Sequence, residues 1–131
     1  MRHSLLALSL VAPLVLAACV ETPPAKAHPW QLVSMGGQSF DAPATFQLNA
    51  GGSRASGMAP CNSWSGRIVS EPFPLWAIRD VTATEMACPD LAAEQAFFAG
   101  LARSTRMAVG ADHLTLSDGT GFTMEFVPLR P

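Results

Sequence analysis

The segment that most limits the possible folds is "HLTLSDGTGFTMEF", His113 to Phe126. Leu114 and Leu116 alternate with polar residues, and so do Phe122, Met124 and Phe126. Successive side chains of an extended chain point to opposite sides, so this period of two makes one apolar face on each of two strands. Asp118-Gly119 stands between them, and glycine enters a tight hairpin turn at no steric cost. A lone hairpin is marginal in water and needs more sheet to bury its apolar side.

The upstream chain supplies that sheet. "WQLVSM" puts Trp30 and Leu32 on one face, and "TFQLN" sets Phe46 and Leu48 opposite Gln47. "SGRIVS" and "LWAIRDVTAT" read as further strands, and "NAGGSRASG" as a hairpin turn using Gly51-Gly52. Pro72 and Pro74 keep "EPFP" out of any central strand, because proline cannot donate to a ladder.

One segment breaks the alternation. "PDLAAEQAFFAGLARS", Pro89 to Ser104, predicts an amphipathic helix with Asp90 as its N-cap. Leu91, Phe98, Leu101 and Ala102 fall on one face, with Phe97 adjacent. Gly100 weakens the helix by up to about 1 kcal/mol. The expected fold is a β-rich α+β domain: a small antiparallel, barrel-like sheet with one packed amphipathic helix.

The N-terminus has a separate logic. Leu5 to Leu16 is an uncharged apolar run of twelve residues behind Arg2. A helical span of the bilayer needs about 20 residues, so the run reads as the core of a signal peptide. It ends in "LAAC", Leu16 to Cys19, which resembles a bacterial lipobox: small residues before the cut and a cysteine after it. Cys19 is therefore the expected lipidation site. Several acyl chains would hold the protein stably on a membrane. Val20, where an Asp would signal inner-membrane retention, points to the outer membrane. "VETPPAKAHP" reads as a spacer. The expected organisation is a lipoprotein signal peptide at 1–18, a lipid-anchored tether at 19–28 and one folded domain at 29–131.

Export also governs the remaining cysteines. Removing Cys19 from the three leaves Cys61 and Cys88, and two thiols in an oxidising compartment read first as one disulfide. Net charge is −2 and no Lys/Arg run exists, which argues against a nucleic-acid partner.

Taken in order, these segments resemble the META domain family, typified by bacterial heat-shock lipoproteins. The matching residues are Trp30-Gln31-Leu32, then "SGMAPCNSWSGRI" with Gly57, Cys61, Asn62 and Gly66. "VTATEMACP" follows with Thr84, Met86, Ala87 and Cys88, then Glu94, Phe97 and Phe98, and last Leu114-Thr115-Leu116. Pro60 departs from the pattern, standing where the family commonly has glycine; Arg67-Ile68 departs too, where an aromatic often follows Gly66. The resemblance implies an envelope lipoprotein linked to stress or drug tolerance, and no reaction.

Sharper chemistries carry stricter requirements. A nucleophilic Cys61 needs a base such as His28 or His113, and a thiolate that is not already paired. Structural zinc needs paired Cys/His ligands, which the spacing lacks. Asp80, Glu85 and Asp90 are near in sequence but lack the defined separation of a hydrolytic pair. "GGSRASG" lacks the Lys-Ser/Thr of a phosphate loop. Asn62 and Trp64 are candidates for a loop binding surface, with turn-shaping and core packing as their structural alternatives. The expectation is a non-enzymatic envelope lipoprotein, periplasm-facing and without cofactor, that binds or stabilises an envelope protein partner. An inhibitor of a cell-wall enzyme such as lysozyme is the alternative, and an unrecognised hydrolase the third.

Overall fold

A computed structural model describes residues 28–69, 72 and 74–130. The expected signal peptide, Cys19 and all of the expected tether except His28 lie outside the described residues.

The chain forms β1 (Trp30–Met35), β2 (Gln38–Ser39), β3 (Thr45–Leu48), β4 (Arg54–Met58), β5 (Ser63–Val69) and β6 (Ala77–Ala83). Then come α1 (Leu91–Arg103), β7 (Arg106–Val109), β8 (Leu114–Ser117) and β9 (Thr123–Pro128). All strand pairs are antiparallel, in the order β6-β5-β4-β3-β1-β9-β8-β7, with β2 folded back on β1. Among the described residues no ladder closes the sheet, and its two ends meet at one bridge, Leu75 opposite Arg106. Two backbone bonds flank the bridge, Trp76 N–H to the Thr105 carbonyl (2.9 Å) and Met107 N–H to the Pro74 carbonyl (3.0 Å). The shape is barrel-like in this limited sense.

The alternation selects most of the inward face of these strands, with Leu48 and Phe122 half-buried against the core. Trp30, Leu32, Phe46, Leu114, Leu116, Met124 and Phe126 are all buried. Leu114 lies opposite Phe126 and Leu116 opposite Met124, so the terminal hairpin has the register its sequence predicts. Gly119 takes a φ of 75° in the turn.

The helix sits in the β6–β7 connection, but its rotation differs from the expected one. Its buried residues are Glu94, Phe97, Gly100 and Leu101, while Leu91 and Ala102 are exposed. Aromatic contacts set this rotation: Phe97 packs edge-on against Trp64, with ring centres 5.7 Å apart. Gly100 brings the helix close to the sheet, since a Cβ there would stand 2.8 Å from the Met124 sulfur and 3.1 Å from that of Met35. Asp90 holds the N-cap position without a side-chain cap bond; its N–H points to the Cys88 sulfur at 3.4 Å. Two further differences concern strands. "RASG" is part of β4 rather than of the turn, and "RMAV" forms β7, too short to show a period of its own.

Candidate functional site

The cysteine loop begins with Gly57 on β4, paired with Trp64 on β5. A Cβ at Gly57 would collide with the backbone carbonyl of Thr45. Only glycine lets β3 come this close. The approach serves two bonds: the Thr45 carbonyl accepts the Trp64 indole N–H (3.2 Å), and the Thr45 hydroxyl accepts the Met58 N–H (2.8 Å). Trp64 is 3% exposed and packs on Phe46, Phe97 and Phe98. It is a core residue.

The chain then turns through residues 59–62, where the Ala59 N–H donates to the Asn62 carbonyl (2.7 Å). Pro60 stands inside this turn. Among the described residues only Asp80 has positive φ without being glycine, so Pro60 keeps the conformation proline favours.

Cys61 is bonded to Cys88, with Cα atoms 5.7 Å apart. Beside the bridge lies a closed polar network. Asn62 is 3% exposed. Its amide donates to the Met86 carbonyl (3.1 Å) and to Glu94 Oε1 (2.7 Å). Its side-chain oxygen accepts from the Met86 N–H (2.6 Å) and the Thr84 hydroxyl (3.0 Å). That uses both donors and both acceptor sites of the amide. Glu94 is 6% exposed, and its Oε2 accepts the N–H groups of Cys61 and Asn62, each at 2.9 Å. The network ties the 59–62 turn, the segment after β6 and α1 into one unit.

Gly66 completes the motif. A Cβ there would stand 2.7 Å from the Ile78 side chain, at the register shift between β5 and β6. Asp80 adopts a φ of 53° in that bulge and accepts the Arg67 Nε at 3.0 Å.

The sequence candidates therefore separate. Cys61 and Cys88 are brought together as a disulfide. Asn62 and Trp64 are turned inward, which fits the turn-shaping and core-packing alternatives rather than a loop binding surface, although part of Trp64 also lines a groove. His28 packs on Trp30, and His113 lies in the β7–β8 turn, where its carbonyl accepts the Gly110 N–H. Asp80 pairs with Arg67, Glu85 is exposed, and Asp90 begins the helix. Among the described residues no group of His, Cys, Asp or Glu is placed to hold a metal ion, and no helix is long and apolar enough to cross a membrane. A shallow groove of about 440 Å³ runs along β5 and β6, lined by Ser63, Trp64, Ser65, Thr82, Ala83 and Thr84. Glu94 is the residue whose role the sequence concealed. Its position in the helix was legible, but not that the helix would turn it inward.

The fold and the loop together define a small, disulfide-stapled antiparallel β domain whose motif residues serve its architecture. The chain belongs to the META domain family, whose sequence model matches residues 24–131. Among solved structures it is similar to a protein from Burkholderia xenovorans determined by NMR. That match has 23% identity and a TM-score of 0.64, covering 99% of each chain. It is also similar to a DUF4847 family protein from Bacteroides vulgatus. There the identity is 13% and the TM-score 0.66, covering 86% of this chain and 99% of that one. At such identities the likeness is one of fold. No curated protein sequence matches significantly.

Proposed function

We propose that this META-domain protein is a non-enzymatic envelope lipoprotein, anchored through Cys19 and facing the periplasm, more specifically from the outer membrane. Its role is to bind or stabilise envelope partners under stress or drug exposure. The carrying observation is the Cys61–Cys88 disulfide set in a fully bonded network. Such bridges persist where the environment is oxidising, which is where a chain with this leader is delivered. The motif's most reactive residue is consumed by the fold, so the reading needs no reaction from it. The spacer after Cys19 gives the domain reach from the membrane surface.

The test is metabolic labelling of the full chain with a radiolabelled fatty acid in a Gram-negative host, followed by membrane fractionation and intact mass. The reading expects label in the outer-membrane fraction and a mature chain that begins at acylated Cys19. Cys19→Ser should abolish the label. An unlabelled, unprocessed chain in the cytoplasm would overturn it.

A further inference from the structure

The sequence contains no cluster of basic residues, yet the sheet builds one. Arg54 on β4 lies directly opposite Arg67 on β5, and Arg67 directly opposite Arg79 on β6. Residues in register across an antiparallel sheet share a face, and all three are exposed. Three of the chain's eight Lys/Arg residues thus form one cross-strand row. Like charges placed directly opposite one another destabilise a sheet. Among the described residues only Arg67 of the three has an acidic partner, Asp80. Cross-strand pairing therefore supplies no reason for the row.

The next positions on the same face are hydroxyls. Ser56 lies opposite Ser65, and Ser65 opposite Thr82. The Ser65 hydroxyl lies 3.4 Å from both Arg54 Nη2 and the Thr82 hydroxyl. Beyond these, Ser63 and Thr84 line the shallow groove. Two inter-strand spacings make the arginine row roughly 10 Å long at the backbone. A row of that length has room for more than one anionic group along it.

From this juxtaposition we infer that the outer face of β4, β5 and β6 binds an acidic oligosaccharide. Its anionic groups lie along Arg54, Arg67 and Arg79, and its sugar hydroxyls meet Ser65, Thr82 and the groove. Guanidinium groups suit such anions because their planar donors match two oxygens at once. The hydroxyls distinguish this face from a plain electrostatic patch, since serine and threonine both donate to and accept from sugar hydroxyls. The acidic-sugar reading rests on the sheet register, the hydroxyl contacts and the groove, and does not depend on the lipid anchor.

Amide NMR titration of the isotope-labelled full chain tests it, using a heparin-derived hexasaccharide as probe. A dextran oligomer of equal length and an oligothymidylate of equal charge serve as comparisons. The expected result is shifts confined to the amides of β4, β5 and β6 for the acidic sugar, none for dextran, and at least tenfold weaker binding of the oligothymidylate. Arg54→Gln with Arg79→Gln should weaken hexasaccharide binding at least tenfold. Neither residue pairs with Asp80, and the variant should unfold at no lower urea concentration than the parent. Shifts elsewhere, equal binding of dextran, or oligothymidylate binding as tight as the acidic sugar would each overturn the inference. So would undiminished binding by the double variant.

Discussion

At the scale of single residues, the cysteine motif is a set of packing solutions. Asn62 fills all its hydrogen-bonding capacity inside the protein, and Glu94 accepts two backbone N–H groups and the Asn62 amide. Removing one partner leaves buried polar groups unsatisfied, at about 1–3 kcal/mol each. Asn62→Ala should therefore destabilise the domain by about 3 kcal/mol or more in urea unfolding. Glu94→Gln should cost about 2 kcal/mol, because a neutral amide replaces an acceptor of charge-assisted bonds. The two glycines should rank differently. At Gly57 an added methyl meets the Thr45 backbone, which cannot move aside; at Gly66 it meets the Ile78 side chain, which can shift. Gly57→Ala should thus cost at least about 1–3 kcal/mol, the ordinary range for overpacking, and more than Gly66→Ala. Equal losses would contradict this reading. The letters of the motif were legible from the start. Their reasons were not, because Thr45, Ile78 and Glu94 reach them only through strand register and helix rotation.

At the scale of elements, the terminal hairpin was the most legible part and α1 the least. Alternation with an Asp-Gly turn fixes which side of β8 and β9 is buried. In α1, Leu91 and Phe98 compete with Glu94 and Phe97 for the inner face, and spacing alone does not choose between them. The choice is made by Trp64 and by the N–H groups of the 59–62 turn. β7 leaves no signature in the sequence because only Met107 among its four residues is buried.

One contact joins the helix end to the hairpin. Asp118 accepts the N–H groups of Thr120 and Phe122 and the guanidinium of Arg103, which also lies over the Phe122 ring. The Thr120 N–H does most to hold its carboxyl well below the ordinary carboxylate value. Linkage gives the sign: a carboxyl whose pKa falls on folding stabilises the fold above its unfolded pKa. That stability is lost as pH falls through the lower folded value. Asp118→Asn should therefore be less stable than the parent at pH 7. The gap should begin to close below about pH 4, the ordinary aspartate pKa, as measured by urea midpoints across the acid range. A gap that stays constant into strong acid would exclude the ionised carboxyl as its source.

At the scale of the whole molecule, the sheet needs fastening because no ladder closes it. The 59–62 turn, the segment after β6 and α1 are held by the disulfide and by the Asn62–Glu94 network side by side. Cross-linking residues 27 apart restricts the unfolded chain, worth about 3–4 kcal/mol in the chain-entropy picture. Small domains have about 5–15 kcal/mol in total. Reduction should thus lower the urea midpoint substantially while the amide spectrum stays native in water, because the polar network remains. Collapse of the spectrum on reduction alone would show that the network does not hold without the bridge.

Alkylating the folded protein without reductant, and measuring intact and peptide masses, tests whether Cys61 is a structural staple or a reactive thiol. A staple leaves Cys61 and Cys88 unlabelled and yields one disulfide-linked peptide pair, with both labelled after unfolding in reductant. Stoichiometric labelling of Cys61 in the unreduced, folded protein would contradict it.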